Sequence, residues 1–111
     1  MGPPPNFEIQ ESRTDGRLRL SLTGELDFAS VQMLDERLTS LRATRSPVSL
    51  DLSRLEFVDS TGIRLLIRTI GDARIKRWPL SIEPDVSPEV RRLFRLVHLD
   101  RFLAGGEPAI S

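Results

Sequence analysis

Apolar and polar residues alternate with period two in four stretches of the chain. Phe7 and Ile9 stand among Glu8 and Gln10, and Leu18, Leu20 and Leu22 among Arg17, Arg19, Ser21 and Thr23. Val48, Leu50 and Leu52 alternate with Ser49 and Asp51, and Leu80 and Ile82 with Ser81 and Glu83. Such alternation predicts four β-strands. Thr14-Asp15-Gly16 separates the first two and supplies a turn, so these two form an antiparallel hairpin.

Three other stretches repeat with helical period. Val31, Leu34, Leu38 and Leu41 fall within an arc of roughly 80° at 100° per residue. Ile63, Leu66, Ile67, Ile70 and Ala73 cover roughly 120°. The third stripe is Val90, Leu93, Phe94 and Val97, opened by Ser87-Pro88-Glu89: an N-cap, a first-turn proline and an early acid. Strands that alternate with helices after the hairpin pair in parallel through right-handed crossovers. A strand buried on both faces carries a continuous apolar run, and none does here. The expected fold is α/β: a four-stranded mixed sheet in ββαβαβα order with helices mainly on one face. A doubly wound sheet is the alternative. Residues 1–6, rich in proline, are expected to be a flexible arm, 7–104 the domain, and 105–111 a flexible tail.

Length and composition narrow the function. The 111 residues are enough for one domain. Lys and Arg total 16 and so do Asp and Glu, so the formal net charge is zero. A nucleic-acid binder usually carries a basic excess, and no such partner is expected. Cysteine is absent and His98 is the sole histidine. That excludes thiolate and multi-histidine metal sites and a cysteine nucleophile, and leaves no cofactor expected. No apolar run approaches the ~18 residues of a membrane span. Met-Gly-Pro-Pro-Pro resembles neither a signal peptide nor a good myristoylation site. A soluble, cytoplasmic domain with little equipment for catalysis is expected.

In parallel α/β units, partners meet the connections after the carboxyl ends of the strands. Those connections are Gly24-Glu25-Leu26-Asp27, Ser53 through Ser60, and Pro84 through Ser87. Each leads into a helix, so residue chemistry assigns Asp27, Asp59, Ser60 and Ser87 to capping.

The segment Leu50-Asp51-Leu52-Ser53-Arg54-Leu55-Glu56-Phe57-Val58-Asp59-Ser60-Thr61-Gly62-Ile63 resembles the signature of the STAS family, the anti-sigma factor antagonists. Its elements are Asp-x-Ser after the third strand, an apolar pair, and Asp-Ser-Ser/Thr-Gly-Leu/Ile opening the second helix. Gly24-Glu25-Leu26-Asp27 is similar to the Gly-Glu/Asp-apolar-Asp loop of the same family. The resemblance runs from about Phe7 to Leu103, and the STAS fold has the same element order. It implies a partner-switching protein without enzymatic activity. An anti-sigma factor that is also a serine kinase would phosphorylate Ser60, with ATP and Mg²⁺ belonging to that kinase, and a phosphatase would reset it. Unphosphorylated, the chain would hold the anti-sigma factor and free a sigma factor. The implied partner surface is Gly24, Glu25, Asp27, Asp59, Ser60, Thr61, Gly62, Ile63 and Arg64, within an acidic rim that also takes in Glu83 and Asp85.

Other residues carry weaker expectations. Met33 and Leu65 fall off their helical stripes and are candidates for a partner-facing patch. Gly62 would keep the start of its helix free of clash, and His98 would be a surface or C-cap residue. Arg74-Ile75-Lys76-Arg77-Trp78 would be a solvated helix end. Arg64, Arg77 and His98 stand where many antagonists carry glycine. Two other functions compete. One is a STAS subunit of a lipid-transport ABC or stress-sensing complex, with no phosphorylation cycle. The other is an aspartic protease, suggested by Asp59-Ser60-Thr61-Gly62. The extra residue in that motif and the helix following it disfavour the protease, and no Gly-x-Ser-x-Gly elbow is present.

Overall fold

The computed structural model describes Asn6 through His98. The expected tail, the last residues of the expected domain (99–104) and all of the arm but Asn6 lie outside the described residues. The strands are β1 (Phe7–Thr14), β2 (Arg17–Leu26), β3 (Val48–Val58) and β4 (Leu80–Ile82). The helices are α1 (Val31–Ala43), α2 (Ser60–Lys76) and α3 (Pro88–Leu96). The sheet runs β1-β2-β3-β4, antiparallel between β1 and β2 and parallel thereafter. The mixed α/β fold is therefore the one the alternation predicts.

Local chemistry explains the turns. Asp15 and Gly16 both have positive φ, 52° and 77°, as a two-residue turn between right-twisted strands requires. Arg77 caps the C-terminus of α2 at φ 55°, and His98 follows α3 at φ 61°. Both adopt the left-handed backbone that favours glycine. His98 is exposed beyond the helix end, as expected.

The core gathers on one face of the sheet. Leu18, Leu20, Leu22 and Leu26 of β2 and Val48, Leu50, Leu52, Leu55 and Val58 of β3 form a single cluster with Leu34, Leu38, Leu66, Val90 and Phe94 of the helices. The opposite face is polar. Arg19 binds the Glu83 carboxylate at 2.8 and 3.0 Å and reaches Asp51 at 3.1 Å. Asp51 is only 7% exposed despite that polar setting.

Strand β3 differs from expectation. It runs six residues past Leu52, and Asp59 alone separates it from α2, so the predicted loop Ser53–Ser60 is mostly strand. Likewise Gly24-Glu25-Leu26 belongs to β2. Alternation failed to reveal this because β3 carries two extra residues relative to β2. Ser21 pairs with Asp51 but Thr23 with Arg54, and Gly24 pairs with Leu55 but Glu25 with Phe57. Each bulge shifts the alternation by one. The first bulge is pinned by Asp51, whose Oδ1 accepts from the Ser53 amide at 3.0 Å and the Ser53 hydroxyl at 2.7 Å. The Asp-x-Ser element thus lies inside the strand, where it satisfies backbone that the bulge leaves unpaired.

The buried face of α2 is also rotated from the predicted stripe. Gly62, Ile63, Leu65, Leu66, Thr69, Ile70 and Ala73 are buried, so four of the five predicted stripe residues lie inside and the face extends toward Gly62, Leu65 and Thr69. Leu65 is 3% exposed, which overturns its assignment to a partner-facing patch, whereas Ile67 is 43% exposed. Gly62 sets this rotation. A Cβ there would lie 2.6 Å from the Leu26 carbonyl oxygen and 2.9 Å from Leu26 Cγ, so the helix approaches β2 through a residue with no side chain.

Two outcomes are expected. Gly62→Ala should destabilise the fold by about 1–3 kcal/mol through overpacking, read by chemical denaturation; unchanged stability would show that α2 can shift freely. Asp51 concerns acid. Burial raises its pKa, but hydrogen bonds from Ser53 and Ser21 and the charge of Arg19 outweigh that and hold it below the ordinary value. A carboxyl depressed in the folded state contributes stability above its unfolded pKa, about 3.9, and loses it as pH falls through the folded value. Asp51→Asn should therefore be less stable than wild type at pH 7, by about 1–3 kcal/mol. The gap should narrow below about pH 4.

Candidate functional site

Parallel pairing of β2 with β3 brings their two helix connections side by side. Leu26 is the register partner of Val58, so Asp27 and Asp59 follow at adjacent strand ends. The Asp59 amide donates to the Leu26 carbonyl at 3.2 Å. The third connection joins the same rim: Ser87 donates to the Leu55 carbonyl at 2.7 Å and caps α3 by accepting from the Val90 amide at 3.3 Å.

Asp59 organises the rim. Its Oδ1 accepts from the Thr61 and Gly62 amides at 2.9 and 3.0 Å, which caps α2. Its Oδ2 accepts from the Phe28 amide of the neighbouring connection at 3.1 Å. One carboxylate therefore fastens the start of α2 to the loop before α1. Asp27 does similar work within its own loop, since its Oδ1 accepts from the Ala29 and Ser30 amides at 3.0 and 3.2 Å. Ser30 is buried beneath it, donates to the Glu25 carbonyl at 2.8 Å and accepts from the Asp27 amide at 3.0 Å. Capping thus describes Asp59 and Ser87, whereas Asp27 closes the turn ahead of α1, whose N-cap position is Ser30.

Ser60 departs from the capping assignment. It is the first residue of α2 and is exposed, and its hydroxyl makes no hydrogen bond among the described residues. A bond to the helix start is unnecessary because Asp59 already accepts from the next two amides. The hydroxyl stands at the positive end of the helix dipole. A phosphate placed there would meet a favourable field without disturbing the core.

The remaining site residues divide by depth. Arg64 is exposed, with no ion pair among the described residues, and Glu25, Asp27 and Thr61 are half-buried. Ile63 and Gly62 are buried beneath the rim. Gly24 is buried at φ 100°, where a Cβ would strike the Asn6 carbonyl. That carbonyl accepts from the Glu25 amide at 2.6 Å, so Asn6 is tied to β2. Glu83 turns away from the expected acidic rim, to Arg19 and Ser49 on the polar face of the sheet. Asp85 is exposed in the third connection, and Met33 is 37% exposed on α1.

Among the described residues no group of three or more histidine, cysteine or acidic side chains is placed to hold a metal ion. His98 follows the far end of α3, whose N-terminus is the one at the rim, so the chain sets no imidazole beside Ser60. No helix of the described residues is long and apolar enough to cross a membrane. The basic segment ends α2 at the opposite end of the molecule, where Arg74, Lys76 and Arg77 are exposed. Trp78 is buried there and donates its indole N–H to the Ser46 carbonyl at 2.6 Å.

Phe28 escaped the sequence reading. It is 81% exposed and sits in the rim loop through its bond to Asp59. A lone apolar residue between a strand and a helix is ordinary in a sequence. Only its place outside both periodicities set it apart.

Comparison with known proteins agrees with this geometry. Residues 9–105 match the family described as "Mlab, STAS domain". An anti-sigma-B factor antagonist of Staphylococcus aureus is 31% identical over 96 residues, covering 85% of this chain and 87% of the relative. An anti-sigma factor antagonist from Mycobacterium paratuberculosis superposes with a TM-score of 0.74 at 24% identity, over 91% of this chain and 86% of the other. The Bacillus protein SpoIIAA matches in unphosphorylated and phosphorylated forms with TM-scores of 0.71 and 0.67. Both matches are at 20% identity over 86% of this chain, covering 84% and 86% of the other chains.

Asp59→Ala should cost about 0.5–2 kcal/mol of stability as a lost N-cap. It should also speed hydrogen exchange at the Phe28 amide far more than at Leu50 in the sheet. Equal acceleration at both positions would mean that Asp59 supports the whole fold rather than the rim.

Proposed function

The chain belongs to the STAS domain family, and on that premise we propose that it is an anti-sigma factor antagonist switched by phosphorylation of Ser60. In this reading it binds an anti-sigma factor with serine kinase activity and so releases a sigma factor for transcription. The kinase brings ATP and Mg²⁺ and transfers the γ-phosphoryl group to the Ser60 hydroxyl, and a phosphatase removes it. The cycle runs in the cytoplasm, and the chain itself is no enzyme.

The observation that carries this reading is the exposed hydroxyl of Ser60, without a hydrogen bond among the described residues, at the start of a helix capped by its neighbour. Relatives named as anti-sigma-B factor antagonists support it. A phosphate adds roughly −1.5 to −2 charge beside Asp59. The helix end tolerates the anion, so the fold survives, while a partner seated on the rim meets new bulk and charge. A loss of about 4 kcal/mol weakens binding a thousandfold, which charge repulsion and steric block at a desolvated interface can supply. Release then needs no refolding. The surface engaged is the rim of Glu25, Asp27, Asp59, Ser60, Thr61 and Arg64, with Gly24, Gly62 and Ile63 shaping it from below. In this reading the exposed Arg64, close to the acceptor on α2, tunes the choice of kinase.

The test begins with the anti-sigma factor encoded in the same genome, purified and titrated against the chain. Ser60→Ala should bind as wild type does and resist phosphorylation. Ser60→Asp should bind at least about tenfold more weakly, with a smaller effect than phosphate because it carries less charge. Equal affinities for all three would overturn the Ser60 switch. Absence of phosphate on Ser60 in native cells, with transporter or stress-complex subunits bound instead, would favour a STAS subunit without a phosphorylation cycle.

A further inference from the structure

Phe28 combines an exposed ring with a loop backbone held by three hydrogen bonds. Phe28 is 81% exposed. Water around an aromatic ring is costly. Here three successive amides fix the backbone. The Phe28 amide donates to Asp59 Oδ2, and the Ala29 and Ser30 amides donate to Asp27 Oδ1, at 3.1, 3.0 and 3.2 Å. Buried Ser30 locks the base of the loop through Glu25. The ring is thus presented on a rigid mount, and little ordering entropy remains to be lost when it is covered.

Its place is equally specific. The carboxylate that holds the Phe28 amide is the one that caps the helix bearing Ser60. Phe28 and Ser60 therefore belong to one continuous surface. Binding energy in protein interfaces concentrates in a few aromatic anchors at the centre of the contact, ringed by polar residues that exclude water. The half-buried acids Glu25, Asp27 and Asp59 supply such a ring.

We propose that Phe28 is the principal anchor of this chain for its anti-sigma factor, inserting into an apolar pocket of that partner beside the Ser60 contact. The assignment rests on the functional reading above and adds to it a specific residue and the chemistry of the complementary site. It also divides the labour of the interface. Phe28 supplies affinity, and Ser60, one Asp59 carboxylate away, supplies control.

The test compares Phe28→Ala with Ile75→Ala, both titrated calorimetrically against the purified anti-sigma factor. Ile75 is 80% exposed but lies near the C-terminus of α2, at the other end of the molecule. Phe28→Ala should weaken binding at least tenfold with no fall in thermal midpoint, Phe28→Trp should retain most of the affinity, and Ile75→Ala should match wild type. Affinity of Phe28→Ala within twofold of wild type would overturn the anchor while leaving the antagonist reading intact. Equal weakening by both alanine variants would overturn it too, because any exposed apolar group would then serve. If wild type itself fails to bind, the antagonist reading falls and this assignment of the partner with it.

Discussion

The parallel pairing of β2 with β3 is the constraint on which the rest of the molecule depends. It buries the longest apolar strands at the middle of the sheet, and it ends both strands at one rim. Leu26 opposite Val58 decides that the loop before α1 and the start of α2 are neighbours. Gly62 exploits that closeness, because only a residue without Cβ lets α2 lie against the Leu26 carbonyl. Asp59 then joins the two connections through a single carboxylate. Position, packing and capping are therefore consequences of one strand pair.

The two faces of the sheet answer different demands. The apolar face takes all the leucines of β2 and the helices that cover it. The polar face carries the Arg19–Asp51–Glu83 cluster, with hydroxyls of Ser21, Ser49 and Ser53 filling its bonds. Burying a carboxylate is tolerated only when its lone pairs are satisfied, and Asp51 meets that condition while pinning the bulge of β3. A motif that reads as a family signature is thus first a solution to a local backbone problem. The same holds for Asp59, whose capping and bridging bonds leave the adjacent Ser60 hydroxyl without a hydrogen bond among the described residues.

That division gives the proposed function a physical basis. A switchable surface needs a modifiable group whose loss or gain of charge leaves the core alone. Ser60 meets that need because its neighbour performs the structural task. Arg37 on α1, paired with Glu11 of β1 at 2.8 Å, and Arg42, paired with Asp72 of α2 at 2.6 Å, tie the other elements together away from the rim. Changes at the rim are thereby kept separate from the packing below it.

The sequence by itself determined the order of elements, the hairpin turn, the caps at Asp59 and Ser87, and the placing of Ser60 at a helix start. These follow from period, from turn chemistry and from residues whose preferences act within a few positions of themselves. It did not determine where β3 ends, which way α2 faces, or how far each residue stands from solvent. The bulges broke the alternation of β3, so Leu55 and Val58 no longer read as strand positions although their pairing with β2 makes them so. Leu65 and Ile67 are equally apolar, and only the approach of Gly62 to Leu26 decides that one is buried and the other exposed. Glu83 reads as a rim acid until Arg19, distant in sequence, claims it. Phe28 reads as an ordinary loop residue until Asp59 of another connection fixes it outward. Each of these outcomes rests on contact between segments far apart in the chain, and local preferences carry no record of such contacts.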